Sequence, residues 1–93
     1  MRQGDFLAEL KGASALLATM PKFEKFHTLG EDYLRARDSL GMYDISVIFE
    51  SYGHLNGFIR FTNLQTGAGR DYEFRRITST QKEALLKFYT DLK

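Results

Sequence analysis

Hydrophobic positions along the chain change their repeat twice, from helical to alternating and back, and each change marks a class of element. From Asp5 to Met20 the residues Phe6, Leu10, Ala13, Leu17 and Met20 recur at helical spacing, Asp5 stands where an N-cap belongs, and Pro21 ends the run. Gly12 weakens this helix by roughly 1 kcal/mol relative to alanine, or marks the end of a shorter helix that restarts at Ser14. Phe23 and Phe26, set between Lys22, Glu24 and Lys25, read as core pegs on a helical turn or an irregular connection. Thr28-x-x-Glu31 is a capping-box pattern and predicts a second helix, with Leu29, Tyr33, Leu34, Arg37 and Leu40 marking its faces and Gly41 ending it.

From Met42 to Tyr52 the period becomes two: Tyr43, Ile45, Val47 and Phe49 alternate with Asp44, Ser46, Ile48 and Glu50, as in a half-buried strand. Two further strands follow, Phe58 to Asn63 and Arg70 to Ile77. A two-residue Asn56-Gly57 turn would put Ile59 and Phe61 on the face opposite Val47 and Phe49 and so split the core. A three-residue Leu55-Asn56-Gly57 loop, with Gly57 left-handed, pairs Gly53 with Ile59 and Phe49 with Asn63 and restores one apolar face. The glycine-rich stretch from Gln65 to Gly69 is read as the next hairpin loop, pairing Phe61 with Tyr72 and Arg60 with Glu73. Ser79 to Leu92 then returns to helical spacing, with Leu85, Phe88, Tyr89 and Leu92 as one stripe and Thr78, Ser79 or Thr80 as the cap. The pattern predicts an α+β fold: two N-terminal helices, a three-stranded antiparallel meander, and a C-terminal helix packed on one sheet face (ααβββα).

Composition narrows what such a fold does. Ninety-three residues with 43% hydrophobic content support one domain over residues 1–93 and one modest core. Chains this short bury about two-thirds of their unfolded surface, which leaves little room for a deep, dry active site and speaks against an enzyme. The absence of cysteine excludes disulfides, thiolate catalysis and cysteine-ligated metals, and favours the cytoplasm. No stretch approaches the ~18 apolar residues of a membrane span. Net charge is +1, but residues 1–57 hold six Lys/Arg against eight Asp/Glu, a balance of −2, while residues 58–93 hold seven against four, a balance of +3. A duplex-binding domain needs a larger cationic excess to supply its affinity.

Few side chains stand in patterns that carry chemistry. His54 and His27 lack any spacing that would bring metal ligands or a general-base partner together, so an ordinary loop histidine is the simpler reading of His54, and no cofactor or metal is implied. Asp71-x-Glu73 shares a strand face, but a cross-strand ion pair to Arg60 explains Glu73. Gly67-Ala68-Gly69 leads into a strand and not a helix, so it cannot cradle a phosphate at a helix N-terminus. Ala8, Gly12, Ala15 and Thr19 form a stripe of small residues that suits close packing within the chain, or a homodimer through the Ala8/Gly12/Ala15 helix face. The richest constellation lies on the sheet face opposite the C-terminal helix, where Tyr52, Phe58, Arg60 and Arg75 are expected to be neighbours, with Ile48 close by. Arg70, Arg75 and Arg76 supply the local positive excess. Arginine interleaved with exposed aromatics suits the centre of a protein interface, or stacking on single-stranded bases.

The order helix, three strands, helix from Thr28 to Lys93, with Gly53-His54 in the first hairpin loop, resembles in topology a double-stranded-RNA-binding domain. That family opens its last helix with a lysine cluster, whereas Ser79-Thr80-Gln81-Lys82-Glu83 supplies one lysine. Asp44-Ile45-Ser46 and Phe74-x-x-Ile77 followed by Leu85-x-x-Phe88 are similar to pieces of PilZ domains, which bind cyclic di-GMP; that family's paired arginines are missing here. Neither family is adopted. The expectation is a small non-catalytic protein-binding module, a regulator or inhibitor of the general build that phages and mobile elements encode, acting through Tyr52, Phe58, Arg60, Arg75, Arg70 and Arg76. The alternative is a nucleic-acid-binding domain using the same residues.

Overall fold

A computed structural model describes residues 3–20, 22–28, 30 and 32–92, and the side chains of 6–20, 22–24, 30 and 32–92. The elements are α1 (Gln3–Leu17), β1 (Phe23–Thr28), β2 (Tyr33–Asp38), β3 (Tyr43–Ser51), β4 (Leu55–Asn63), β5 (Gly69–Phe74) and α2 (Ser79–Thr90). The strands form one open antiparallel sheet in chain order, with β1 and β5 at its edges. This corrects the ααβββα expectation: one helix precedes the sheet, and the sheet has five strands. The segment expected as a second helix, from Thr28 to Gly41, carries β2, and the stretch before it, expected as a helical turn or irregular connection, is β1, so the helix–three strands–helix order shared with double-stranded-RNA-binding domains is absent.

The physical reason lies in β2. Leu34, Ala36 and Asp38 turn to one side while Tyr33, Arg35 and Arg37 turn to the other, a period of two, and β2 aligns Leu34 with Val47 and Ala36 with Ile45. Ala36, Ile45 and Val47 are fully buried. Without β2, the outer edge of β3 would present a row of unpaired backbone donors and acceptors beside a fully apolar face. Thr28 closes β1 instead of capping a helix, and Glu31 lies outside the described residues. Phe23 is a core residue, as expected, but it sits on a strand; the Phe26 side chain lies outside the described residues. Asp38 organises the β2–β3 turn, its Oδ1 accepting from the Met42 and Tyr43 amides at 2.6 and 3.1 Å.

Strands β3 and β4 are joined by three residues, as parity requires, but they are Tyr52-Gly53-His54 and not Leu55-Asn56-Gly57. Val47 pairs with Ile59, Ile45 with Phe61, and Phe49 with Gly57. Gly57 is a buried mid-strand residue and has no left-handed backbone. Its reason is close approach: a Cβ there would stand 2.8 Å from Leu85 Cδ1. The β4–β5 register differs by two residues from the expected one, with Ile59 opposite Tyr72, Phe61 opposite Arg70, and Arg60 opposite Asp71 instead of Glu73. Both slips are by an even number of residues, so Val47, Phe49, Ile59, Phe61, Tyr72 and Phe74 still share one face, and all six are buried.

Both helices cover that same face. α1 starts at Gln3, placing Asp5 inside its first turn, and continues through Gly12 without a break. It lies over β5: the Phe6 ring meets Phe74 edge-on at 5.2 Å, and Gly12 faces the Tyr72 ring, where a Cβ would stand 3.1 Å from Cε1. Gly12 therefore serves packing within the chain, while Ala8 and Ala15, the other residues of the stripe, are exposed. α2 covers β3 and β4 with Leu85, and its Tyr89 hydroxyl donates to the Arg35 carbonyl at 2.5 Å. Thr78 caps it with a full capping box shared with Gln81.

Candidate interaction face

With both helices on one side, the other side of the sheet carries no layer from α1 or α2. Three ranks of side chains cross it from β2 to β5, and Glu50 and Asn56 of β3 and β4 extend it toward the β3–β4 loop. The first, Tyr33, Ile48, Phe58 and Glu73, places two aromatics and an isoleucine side by side on neighbouring strands, all three half-buried. The second is Arg35, Ser46, Arg60 and Asp71, and the third is Arg37, Asp44, Thr62 and Gly69. The alternation that fills the core with Ile45, Val47, Ile59 and Phe61 forces their neighbours in sequence onto this side.

Three carboxylates of the face are each held by guanidinium groups. Asp44, its side chain 8% exposed, receives Arg35 Nη2 at 2.7 Å and Arg37 Nε at 3.1 Å. Arg60 grips Asp71 with two parallel hydrogen bonds, Nε to Oδ1 at 2.8 Å and Nη2 to Oδ2 at 3.0 Å. The hydrogen bond from Arg60 holds the Asp71 carboxyl below its ordinary pKa, and the same bond raises that of Arg60. Arg75 reaches back to Glu73 Oε1 through Nε and Nη2, at 3.2 and 3.1 Å.

Of the residues singled out in the sequence, the structure brings Phe58 and Arg60 together with Ile48 on this face. Tyr52 is not among them: it sits in the β3–β4 loop, 72% exposed, at one end of the sheet. Arg75 and Arg76 follow the end of β5 at that same end, where Arg76 donates its amide to Asn56 Oδ1 and Ile77 donates to the Leu55 carbonyl. Arg70 points to the helix side, its guanidinium 5.3 Å from the Tyr72 ring centre. Tyr33, Arg35, Arg37 and Asp44 belong to the face although the sequence did not suggest them. Their signal was the alternation Tyr33, Arg35, Arg37 against Leu34, Ala36, hidden beneath the capping-box pattern.

The hollows lined by described residues include two shallow ones on the helix side. One, about 190 Å³, is lined chiefly by Leu16, Met20, Tyr43 and Phe61; the other, about 280 Å³, lies between the helices beside Leu10, Ala84 and Phe88. Both fall below the ~300–1,000 Å³ of a usual small-molecule site. His54 is exposed in its loop, and among the described residues no cluster of three or more His, Asp or Glu side chains is placed to hold a metal ion. No helix among the described residues is long and apolar enough to cross a membrane. Comparison with protein-family models, curated proteins and solved structures finds no match.

Proposed function

We propose that this chain is a small non-catalytic binding module, a regulator or inhibitor that occupies the surface of a partner protein through the open face of its sheet. The observation that carries the reading is the rank Tyr33, Ile48 and Phe58, an apolar strip left uncovered by either helix and flanked by arginines already held by carboxylates. Aromatics and arginine are the residues that dominate interface centres. Guanidiniums already engaged by carboxylates favour a protein over nucleic acid, because affinity for a phosphate backbone comes from cations free to replace its counterions. A cysteine-free chain suits the reducing cytoplasm.

The test compares the wild type with the Phe58→Ala/Arg60→Ala double variant. Both are immobilised and exposed to extract of the native host, and retained proteins are identified by mass spectrometry, with thermal melts verifying that the variant folds. A partner held by the wild type and lost by the folded variant supports the reading. Identical retained sets would overturn it. So would tight binding of labelled oligonucleotides that falls steeply with salt.

A further inference from the structure

Charged side chains on the open face are sorted by strand. From β2 come only cations, Arg35 and Arg37, and from β3 only acids, Asp44 and Glu50. Arg60 is the charge of β4, and β5 carries Asp71 and Glu73, with Arg75 just past its end folded back onto Glu73. The signs therefore alternate across the sheet, positive, negative, positive, negative, and four guanidiniums stand against four carboxylates. Apolar residues occupy the same rank of the two middle strands, Ile48 on β3 and Phe58 on β4.

Such an order of signs is complementary to its own reverse. Two copies can lay this face on each other about a two-fold axis between the sheets, and aligned packing, with strand directions within about 30°, leaves two directions for it. With the axis across the strands, every strand lies over its own copy, so the arginines of β2 face arginines and the acids of β5 face acids. With the axis along the strands, between β3 and β4, β2 lies over β5 of the second copy and β3 over β4. Each strand then meets one of opposite sign at the ~10 Å spacing of packed sheets. Arg35 stands over Asp71 of the second copy and Ile48 over its Phe58, and each contact occurs twice. The pairs inside each chain remain, because Asp71 accepts two bonds from Arg60, about half of what a carboxylate can accept.

Resting on the reading that the open face binds protein, we infer that in the free protein this face is closed by a second copy of the chain, related by a two-fold axis parallel to the strands between β3 and β4. Four strands ~4.8 Å apart, each contributing about five residues of ~3.3 Å rise, give a footprint of roughly 300 Å². Stable complexes bury about 800 Å² per partner, so this dimer is reversible, and a host protein competes with the second copy for the same surface.

The test is sedimentation equilibrium from ~1 μM to ~1 mM, the range in which a dimer of this size dissociates. The wild type should pass from one-chain to two-chain mass, and added salt should move that passage to higher concentration. Arg35→Glu and Asp71→Lys each set like charges together and should stay monomeric alone. Their equimolar mixture should dimerise, because the new carboxylate of one faces the new ammonium of the other. Phe58→Ala, which leaves every ion-pairing residue in place, should weaken association about tenfold or more. Thermal melts verify folding; if Arg35→Glu unfolds, Asp71→Lys and Phe58→Ala decide, and a dimer that survives both overturns the inference. A wild type monomeric throughout overturns it too, as does a folded mixture that stays monomeric. A monomeric wild type, with a host protein lost by folded Phe58→Ala/Arg60→Ala, leaves the binding reading standing without the second copy. A dimer that breaks as expected, with identical host proteins retained by wild type and variant, leaves the second copy standing without the binding reading.

Discussion

Replacing Gly57 with alanine tests the placement of α2 on the sheet directly. The added Cβ would stand 2.8 Å from Leu85 Cδ1 and 3.4 Å from Ile77 Cδ1 and Phe49 Cδ1. Carbon atoms in comfortable contact are ~3.5–4.0 Å apart, so the Leu85 methyl must retreat by close to an ångström. Leu85 is fully buried, and its neighbours leave that methyl little room. Overpacking of this kind costs about 1–3 kcal/mol, while replacing a strand glycine returns about 0.5–1 kcal/mol of backbone entropy. The expected net loss is about 1 kcal/mol, or roughly 4–8 °C in melting temperature for a domain of this size. Leu85→Ala alone should cost about 2–5 kcal/mol through the cavity it opens. In the double variant the new methyl group occupies part of that cavity, so the combined loss should fall short of the sum by about 1 kcal/mol. Urea unfolding of the four proteins, followed by circular dichroism, completes the cycle. Full stability in Gly57→Ala, or strict additivity with Leu85→Ala, would refute the contact and with it the position of α2.

Three further outcomes follow from the polar contacts. Asp44→Ala should lower stability by about 2 kcal/mol in urea unfolding, because two guanidiniums lose a nearly buried acceptor. Asp71 has a folded-state pKa below its unfolded one, so its pairing with Arg60 stabilises the protein above the unfolded carboxyl range, and that contribution is lost as pH falls through the folded value. The pair is half-exposed, which limits the effect to about 1 kcal/mol or less; urea melts from neutral to acid pH should show Asp71→Asn with a correspondingly flatter acid limb. Thr78→Ala removes the acceptor of the Gln81 amide in the capping box and should cost about 1 kcal/mol, with the helical signal fraying first on heating.

Elements whose pattern had one meaning were legible from the sequence. The alternation from Tyr43 to Phe49 admits only a strand, and the stripe Leu85, Phe88, Tyr89 behind Thr78 admits only a helix; both stand where they were expected. Residues 23–40 admitted two meanings. Thr28-x-x-Glu31 and the spacing of Leu29, Tyr33 and Leu40 satisfy a helix, while Leu34, Ala36 against Arg35, Arg37 satisfy a strand, and local propensity does not choose between them. The decision is tertiary: β3 needs a partner on each edge, and Asp44 needs cations on the neighbouring strand. Gly57 illustrates the same limit. Beside Asn56 it reads as a turn residue, and only the distance to Leu85, a residue far along the chain, reveals that it is there to admit a helix. Phe58 and Arg60 reached the open face because parity survives an even slip in register; Tyr52 did not, because the loop lies earlier in the chain than the Asn-Gly signal suggested.

The apolar strip of the open face is carried by β2, β3 and β4, the three inner strands of the sheet. Backbone amides at such positions exchange with solvent only through rare, large openings, whereas edge strands fray first. A partner that lands on Tyr33, Ile48 and Phe58 therefore meets a surface whose shape is already set in the free protein. Little ordering entropy is lost when it docks, and association should proceed as a rigid encounter, at a rate set by diffusion and orientation and not by a folding step.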